Sequence, residues 1–263
     1  MGWQQLSNCW VYQPQTTDYQ GIIHFLGGAF VGTTPQLTYR WLLEEIGKAG
    51  FVIVATPFLN TLDHQAIARK TLNRFQRIIT TMKADGSIPQ AYLPVYGLGH
   101  SMGCKLHLLI NSVYDEERSG NILVSYNNYP IRKAIPLVEQ WDLDQTLNLE
   151  FTPSAEETKL LISKDYSVRR NLLIRFNNDD IDETVQIKPL LKQKFPNMIS
   201  MLTIPGNHLT PITQDFDFRF NNEGKSWETI NNLGQLLRQS FSRDLKRLKE
   251  EILLWLRPNL NLG

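Results

Sequence analysis

Ser101 stands between two glycines in the sequence G-H-S-M-G at residues 99–103. An apolar, strand-like run precedes it at residues 95–98, and a helix-like run follows at residues 105–110. A turn that passes this tightly from strand to helix strains the backbone and exposes the serine hydroxyl, and it needs small neighbours such as Gly99 and Gly103. The pattern predicts a nucleophilic serine, although the five letters alone also fit an ordinary glycine-rich connection.

A nucleophilic serine needs N–H donors for the oxyanion that forms when it attacks a carbonyl group. The helix after Ser101 directs its first N–H, that of Met102, and its positive dipole end toward such a charge. A second loop, F-L-G-G-A-F-V-G-T at residues 25–33, ends an earlier strand and offers the N–H of Gly28 or Ala29. Alone, this loop fits a plain glycine turn equally well; combined with Ser101, it predicts an oxyanion hole.

The serine also needs a histidine as its base, on a later loop of the sheet. His208, in I-P-G-N-H-L-T-P, follows the last clear strand and lies in a loop that contains glycine. His64, which comes after an earlier strand, is the serious rival because it could line the same pocket. The other histidines fit packing or an orientation away from the serine: His24, His100 and His107. The sequence favours His208 as the base.

A carboxylate must hold the histidine, and L-L-I-R-F-N-N-D-D-I-D-E-T at residues 172–184 offers three. Asp179 is the preferred candidate because it stands three residues after Phe176, where the strand is expected to end. Asp182 and then Asp180 are the alternatives. Three neighbouring carboxylates are also typical of a solvated acidic loop, so at least two of them have only that character. The order serine, aspartate, histidine matches the one expected of a serine triad on a parallel sheet.

Strand-like and helix-like segments alternate along the chain, which predicts βαβ units and a mainly parallel sheet covered by helices on both faces. In such sheets ligands bind beyond the carboxyl ends of the strands, where all the candidate loops lie. The predicted strands are residues 9–12, 21–26, 51–55, 92–98, 122–126, 171–176 and 198–204. The predicted helices are residues 37–49, 63–83, 102–114, about 188–195, and 226–256, the last with room for a break near residues 240–242.

Residues 130–170 interrupt this alternation and predict a helical cap inserted into a single domain of residues 1–263. Ser154 and Glu157 have the spacing of a capping box, which starts a helix. The apolar residues of the segment suit a lid that shapes an acyl pocket. A structural excursion that covers the sheet edge explains them equally well.

Composition narrows the possible partners and cofactors. The chain of 263 residues has 27 basic and 26 acidic residues and a net charge of +1, which gives no support to a nucleic-acid partner. Cys9 and Cys104 are too few for a disulfide framework, and they indicate a reducing compartment. Neither a signal peptide nor a membrane-spanning run is visible, and neither a metal-ligand cluster nor a cofactor motif is present, so we expect a cytoplasmic protein without cofactors.

The residues together resemble the α/β-hydrolase fold. More closely, F-L-G-G-A-F-V-G-T-T-P-Q-L-T-Y-R, A-T-P-F and G-H-S-M-G-C-K-L-H resemble an uncharacterised family of cyanobacterial and plastid proteins assigned to that fold. The resemblance covers most of the chain and is most specific between residues 21 and 110. It departs from many hydrolases at Leu26-Gly27, where they have histidine and glycine at the end of the oxyanion strand.

These features predict a lipase-like serine esterase that acts on a small-molecule or lipid ester through Ser101, His208 and Asp179. An acyltransferase or a thioesterase would use the same three residues. A different class of function is a non-catalytic scaffold, in which the amphipathic segment at residues 226–256 binds a partner or a membrane surface. Ordinary packing on the sheet explains that segment more simply.

Overall fold

A computed structural model describes residues 2–16, 18–29, 31–129, 150–212 and 227–257, with the backbone alone for 227–241. Its strands are β1 (Gln4–Leu6), β2 (Cys9–Tyr12), β3 (Gly21–Leu26), β4 (Phe51–Ala55), β5 (Val95–His100), β6 (Gly120–Val124), β7 (Asn171–Asn178) and β8 (Ile199–Asn207). Its helices are α1 (Pro35–Thr38), α2 (Arg40–Lys48), α3 (His64–Ala84), α4 (Met102–Val113), α5 (Ala155–Asp165), α6 (Thr184–Lys194) and α7 (Trp227–Leu256).

All eight strands form one sheet in the order β1-β2-β4-β3-β5-β6-β7-β8. The β1–β2 and β2–β4 pairs are antiparallel, and every other pair is parallel. Every residue of β3, β4 and β6 is buried, because helices cover both faces of the sheet. Leu26 pairs with Gly99 and His100 pairs with Val124, so the carboxyl ends of β3, β5 and β6 lie side by side. The predicted mainly parallel sheet is confirmed.

The helices divide between the two faces according to where their apolar residues point. Helices α2 and α7 pack on one face, where Leu43 and Ile252 share a core with Ile23 and Ile122. Helices α3, α4, α5 and α6 cover the opposite face. Helix α4 lies at the centre of this second layer, directly behind the strand that leads to Ser101.

The predicted helix starts have the expected caps. The Asp63 side chain accepts a hydrogen bond from the N–H of Ala66 at 2.7 Å and begins α3. Ser154 and Glu157 form a reciprocal capping box at the start of α5. Helix α7 is continuous through residues 240–242, where the sequence leaves room for a break.

The predicted cap falls largely on residues 130–149, which lie outside the described part of the chain. The described end of the predicted insertion is joined to the body of the protein. The Thr152 N–H donates to the Leu62 carbonyl at 2.8 Å, and Ile162 of α5 lies in one core cluster with Leu108 of α4. Within the described residues, no helix is both long enough and apolar enough to cross a bilayer.

Candidate active site

Ser101 occupies the turn between β5 and α4 in a backbone conformation that is rare for a residue with a side chain. Its φ is 55° and its ψ is −121°. The turn is held because the Ser101 N–H donates to the Val124 carbonyl at 2.9 Å. A Cβ atom added to Gly103 would lie 2.0 Å from the Leu26 carbonyl oxygen, and one added to Gly99 would lie 2.6 Å from the Cys104 nitrogen. Both glycines are therefore required by the close approach of neighbouring backbone.

The structure brings the three predicted residues into one hydrogen-bonded line. His208 Nε2 lies 3.0 Å from Ser101 Oγ, and His208 Nδ1 lies 2.9 Å from Asp179 Oδ2. An ionised carboxylate can only accept, so the Nδ1 proton of His208 is donated to Asp179. Nε2 of the neutral ring is then free to accept the serine proton.

The acidic loop separates its three carboxylates by environment. The Asp179 side chain has no exposed surface. Burial alone would raise the pKa of its carboxyl, but hydrogen bonds, led by that with His208, outweigh burial and hold the pKa below its ordinary value. Asp182 instead lies 3.2 Å from Arg175 Nε and accepts from the Thr184 N–H at 2.8 Å. Asp180 is exposed. Of the three, only Asp179 faces the histidine.

The loop that carries His208 is organised by its own side chains. Gly206 has a φ of 129°, and a Cβ atom there would lie 2.5 Å from Thr210 Oγ1. That hydroxyl accepts from the Asn207 N–H at 2.8 Å, and Asn207 Oδ1 accepts from the Leu209 N–H at 2.9 Å. Strand β8 thus runs beyond its predicted end at residue 204 and passes directly into a tight turn at the histidine.

The candidate oxyanion donors do not all have a free N–H. A Cβ atom on Gly28 would lie 3.5 Å from Ser101 Cβ, so the glycine loop does come close to the nucleophile. However, the Gly28 N–H donates to Tyr39 Oη at 2.9 Å, which rules it out as an oxyanion donor in this conformation. The N–H of Met102, at the start of α4, and that of Ala29 remain as candidates.

The remaining histidines have other partners. His24 Nε2 lies 3.2 Å from Thr56 Oγ1, and His107 Nε2 lies 3.2 Å from the Leu98 carbonyl, both inside the core. His64 stacks on Phe151 with 4.3 Å between ring centroids, and among the described residues its ring nitrogens make no hydrogen bond. None of these three is hydrogen-bonded to Ser101 Oγ, whose partner is His208.

Three further residues contact the site that its sequence motifs do not mark. Tyr39 and His100 connect its loops by hydrogen bonds. Ser125, with a φ of 52°, follows β6 and contributes to the lowered pKa of Asp179. Only Ser125 has a local signal in the sequence, because it is a polar residue directly after a buried apolar strand.

As for metals, no group of three or more histidine, cysteine, aspartate or glutamate side chains in the described ranges could hold an ion.

Comparison with known proteins identifies the fold. The sequence matches the family described as "Protein of unknown function (DUF1350)" over residues 2–258. A highly thermostable carboxyl esterase from Bacillus coagulans, solved in complex with glycerol, has a TM-score of 0.52 and 14% identity over 78% of this chain and 91% of that one. FphF, a fluorophosphonate-binding serine hydrolase of Staphylococcus aureus solved with substrate bound, has a TM-score of 0.56 and 11% identity over 78% and 89%. No curated protein matches the sequence. The fold is that of the α/β hydrolases.

Proposed function

The chain belongs to the DUF1350 family, and we propose that it is a serine hydrolase that cleaves a carboxylic ester through an acyl-enzyme. One observation carries the proposal: Ser101, on a strained strand-to-helix turn, is joined through His208 to the Asp179 carboxylate by hydrogen bonds of 3.0 and 2.9 Å. Backbone strain persists only where the surroundings impose it, and it is concentrated at functional sites. A packing role explains neither the strain nor the line of three polar side chains.

In the acylation step Ser101 Oγ attacks the carbonyl carbon of the ester. The bond from Oγ to that carbon forms while His208 Nε2 takes the hydroxyl proton, and the carbonyl electron pair moves onto oxygen. The N–H groups of Met102 and Ala29 bind this oxyanion. As the tetrahedral intermediate collapses, the ester C–O bond breaks, and His208 Nε2–H protonates the departing alkoxide.

Deacylation repeats the same steps with water in place of the serine. His208 Nε2 accepts a proton from water as its oxygen attacks the acyl carbon. The proton then passes to Ser101 Oγ as the acyl–serine bond breaks, which releases the acid and restores the enzyme. Throughout, the Asp179 carboxylate stabilises the transient imidazolium and keeps the ring oriented.

Apolar side chains next to the triad favour an ester with an apolar acyl or alcohol group. Leu209 directly follows the histidine and is 47% exposed, and Ile181, in the aspartate loop, is 36% exposed. In the proposed complex these two side chains supply apolar contacts to the substrate. This supports the lipase-like reading of the sequence over a site for a strongly charged substrate.

The test is covalent labelling with a fluorophosphonate probe, which reacts with activated serines. The Staphylococcus aureus neighbour is described as a fluorophosphonate-binding serine hydrolase. We expect the wild type to be labelled, and Ser101→Ala and His208→Ala to show no labelling while remaining folded. A panel of acyl esters and thioesters, with and without an alcohol acceptor, then separates hydrolysis from acyl transfer. If the folded wild type is not labelled and cleaves none of these compounds, the hydrolase proposal is wrong, and the non-catalytic scaffold is the remaining function.

A further inference from the structure

Two buried side chains outside the triad connect the three loops of the site. Tyr39 has no exposed surface, and His100 is only 2% exposed. Tyr39 Oη lies 2.9 Å from the Gly28 nitrogen and 2.8 Å from His100 Nδ1. On its other side, His100 Nε2 lies 2.9 Å from the carbonyl oxygen of His208. A continuous chain of hydrogen bonds therefore runs from the glycine loop, past the end of β5, to the loop of the base.

The chemistry of the two ends fixes the direction of every bond in this chain. A carbonyl oxygen can only accept, so His100 carries its proton on Nε2 and donates it to His208. Nδ1 of the neutral ring is then an acceptor, and Tyr39 donates its hydroxyl proton to it. The remaining lone pairs of Tyr39 Oη accept the N–H of Gly28.

The chain requires a neutral His100, and the surroundings keep it neutral. Burial, and to a lesser degree the neighbouring His208, lower the pKa of His100 to about 3. If His100 Nδ1 were protonated, its N–H would face the hydroxyl proton of Tyr39, and the hydrogen bond between them would be lost. The arrangement therefore does not change over the pH range in which a serine hydrolase works.

The local sequence is built around this contact. A Cβ atom on Gly27 would lie 2.7 Å from Tyr39 Cε2, so only glycine lets the tyrosine ring lie against the loop. The ring centroids of His100 and His208 are 4.9 Å apart. His100 therefore contacts the ring of the base as well as its backbone carbonyl. The departure from the His-Gly sequence of many hydrolases at Leu26-Gly27 thus coincides with a tyrosine seated on the loop.

We propose that Tyr39 and His100 are positioning residues of the catalytic site, an inference that rests on the proposed hydrolase function. They hold the His208 backbone so that its ring reaches Ser101, and they keep the Gly28 N–H turned away from the oxyanion, which leaves Ala29 as the donor from that loop. Neither residue exchanges a proton with the substrate. A displacement of about 1 Å at a catalytic group can cost roughly a hundredfold in rate, so a fixed backbone at the base has a measurable effect.

Tyr39→Phe removes one hydroxyl and keeps the ring, and the chain offers a matched control. Tyr166 is equally buried, and its hydroxyl also has two partners, accepting from Asn121 at 2.8 Å and donating to Asn171 at 2.6 Å. It takes no part in the site. Tyr166→Phe therefore reports what the loss of a buried tyrosine hydroxyl does to stability alone.

Two measurements are made on folded protein at a temperature well below both transitions. The first is the second-order rate of fluorophosphonate labelling, which we expect to fall roughly ten- to a hundredfold in Tyr39→Phe and to stay near the wild-type rate in Tyr166→Phe. The second needs no activity: ¹⁵N NMR of the imidazoles should show His100 as the Nε2–H tautomer, without titration, from pH 5 to 9. The same spectra should show a shift of the His208 Nδ1–H signal in Tyr39→Phe alone.

A substitution of His100 tests the other end of the chain. His100→Gln places an amide donor near the position of Nε2 and should keep a large part of the labelling rate. His100→Leu removes the donor and should lose it. If the ring had a purely structural role, the labelling rates of the two variants would instead follow their stabilities.

The inference is overturned if Tyr39→Phe and Tyr166→Phe label at equal rates and leave the His208 signal unchanged, or if His100 titrates between pH 5 and 9. If the wild type is not labelled but the His208 signal shifts in Tyr39→Phe alone, the positioning network stands and the hydrolase proposal is wrong. The two proposals can therefore fail separately.

Discussion

The Asp179 carboxylate determines which nitrogen of His208 carries a proton. It accepts from Nδ1 at 2.9 Å, and a second bond, from the Ile181 N–H at 3.2 Å, fixes its own orientation. Because its pKa lies below the ordinary value, the carboxylate stays charged at neutral pH. His208 is thereby supplied with both the correct tautomer and a counter-charge for its protonated state.

Asp179→Asn should abolish most turnover and leave the fold intact. An amide can present its NH₂ group to Nδ1 and favour the wrong tautomer, so kcat should fall about 10³- to 10⁴-fold. Asp182→Asn is the control, since it changes a buried carboxylate three residues further on that pairs with Arg175. We expect it to lower stability while turnover changes by less than about tenfold. Steady-state ester kinetics and thermal unfolding check both, and the reverse ranking would reassign the acid.

At the residue scale the order and spacing of the sequence predicted the three residues that the structure joins by hydrogen bonds, and they ranked Asp179 first among three carboxylates. The sequence could not decide between them, because the β7–β8 register is irregular between Phe176 and Asn178 and residue spacing does not show which side chain turns inward after it. Nothing in the sequence marked Tyr39 as part of the site, although it lies within the quoted motif at residues 25–40. Its role depends on a hydroxyl that reaches His100, a residue 61 positions away.

At the scale of elements, the site depends on how closely α4 approaches the end of β3. Alanine normally stabilises a helix relative to glycine by about 1 kcal/mol. At Gly103 the added Cβ would lie 2.0 Å from the Leu26 carbonyl oxygen, which is backbone and cannot rotate away. The close approach therefore dominates over helix propensity at this position.

Gly103→Ala should consequently destabilise the protein, by about 3 kcal/mol or more, and should also slow labelling of Ser101 at temperatures where the variant is folded. Relief of the overlap requires α4 to shift, and the shift carries Ser101 away from His208. Ser112→Ala, near the other end of the same helix, is the control, and we expect a change of less than about 0.5 kcal/mol. Urea unfolding and labelling rates measure both effects. A stabilised Gly103→Ala would contradict the close packing of α4 on β3.

The elements themselves were largely predictable, because continuous apolar runs between glycines read as buried parallel strands. The long helix α7 was predicted with room for a break that is absent. Its second half buries Leu245, Leu248 and Ile252 against the sheet, and such packing overrides weak local preference.

The resemblance to the α/β hydrolases is confirmed by the fold, whereas a cyanobacterial or plastid origin stays a prediction.

For the molecule as a whole, one buried charge links the helical layer to the end of the predicted insertion. Lys105 of α4 is 1% exposed, and its Nζ donates to the Pro153 carbonyl at 3.2 Å. Burial lowers its pKa to about 8, against an opposing attraction from three glutamates, of which Glu183 is the strongest. The folded state thus disfavours the protonated form of this side chain.

The contribution of Lys105 to stability should therefore rise with pH between its folded-state pKa of about 8 and its ordinary value of 10.5. Below pH 8 the side chain is protonated in both states, and the folded state carries the full cost of the buried charge. Above pH 8 the folded state releases the proton first, while the unfolded chain keeps it up to the ordinary value of 10.5. Because the unfolded state then binds more protons at this side chain, the Lys105 contribution to the free energy of unfolding increases with pH, by up to about 3 kcal/mol across the interval.

Lys105→Met isolates this contribution, because other lysines, tyrosines and cysteines that titrate in the same interval are common to both proteins. Urea unfolding, followed by tryptophan fluorescence at pH 7, 8, 9 and 10, gives the free energy of unfolding of each. The wild-type value minus the variant value should increase steadily from pH 8 upward, whatever its sign at pH 7. A difference that is flat with pH would mean that Lys105 is solvated in the native protein, and that the junction between α4 and residues 150–153 is open to water.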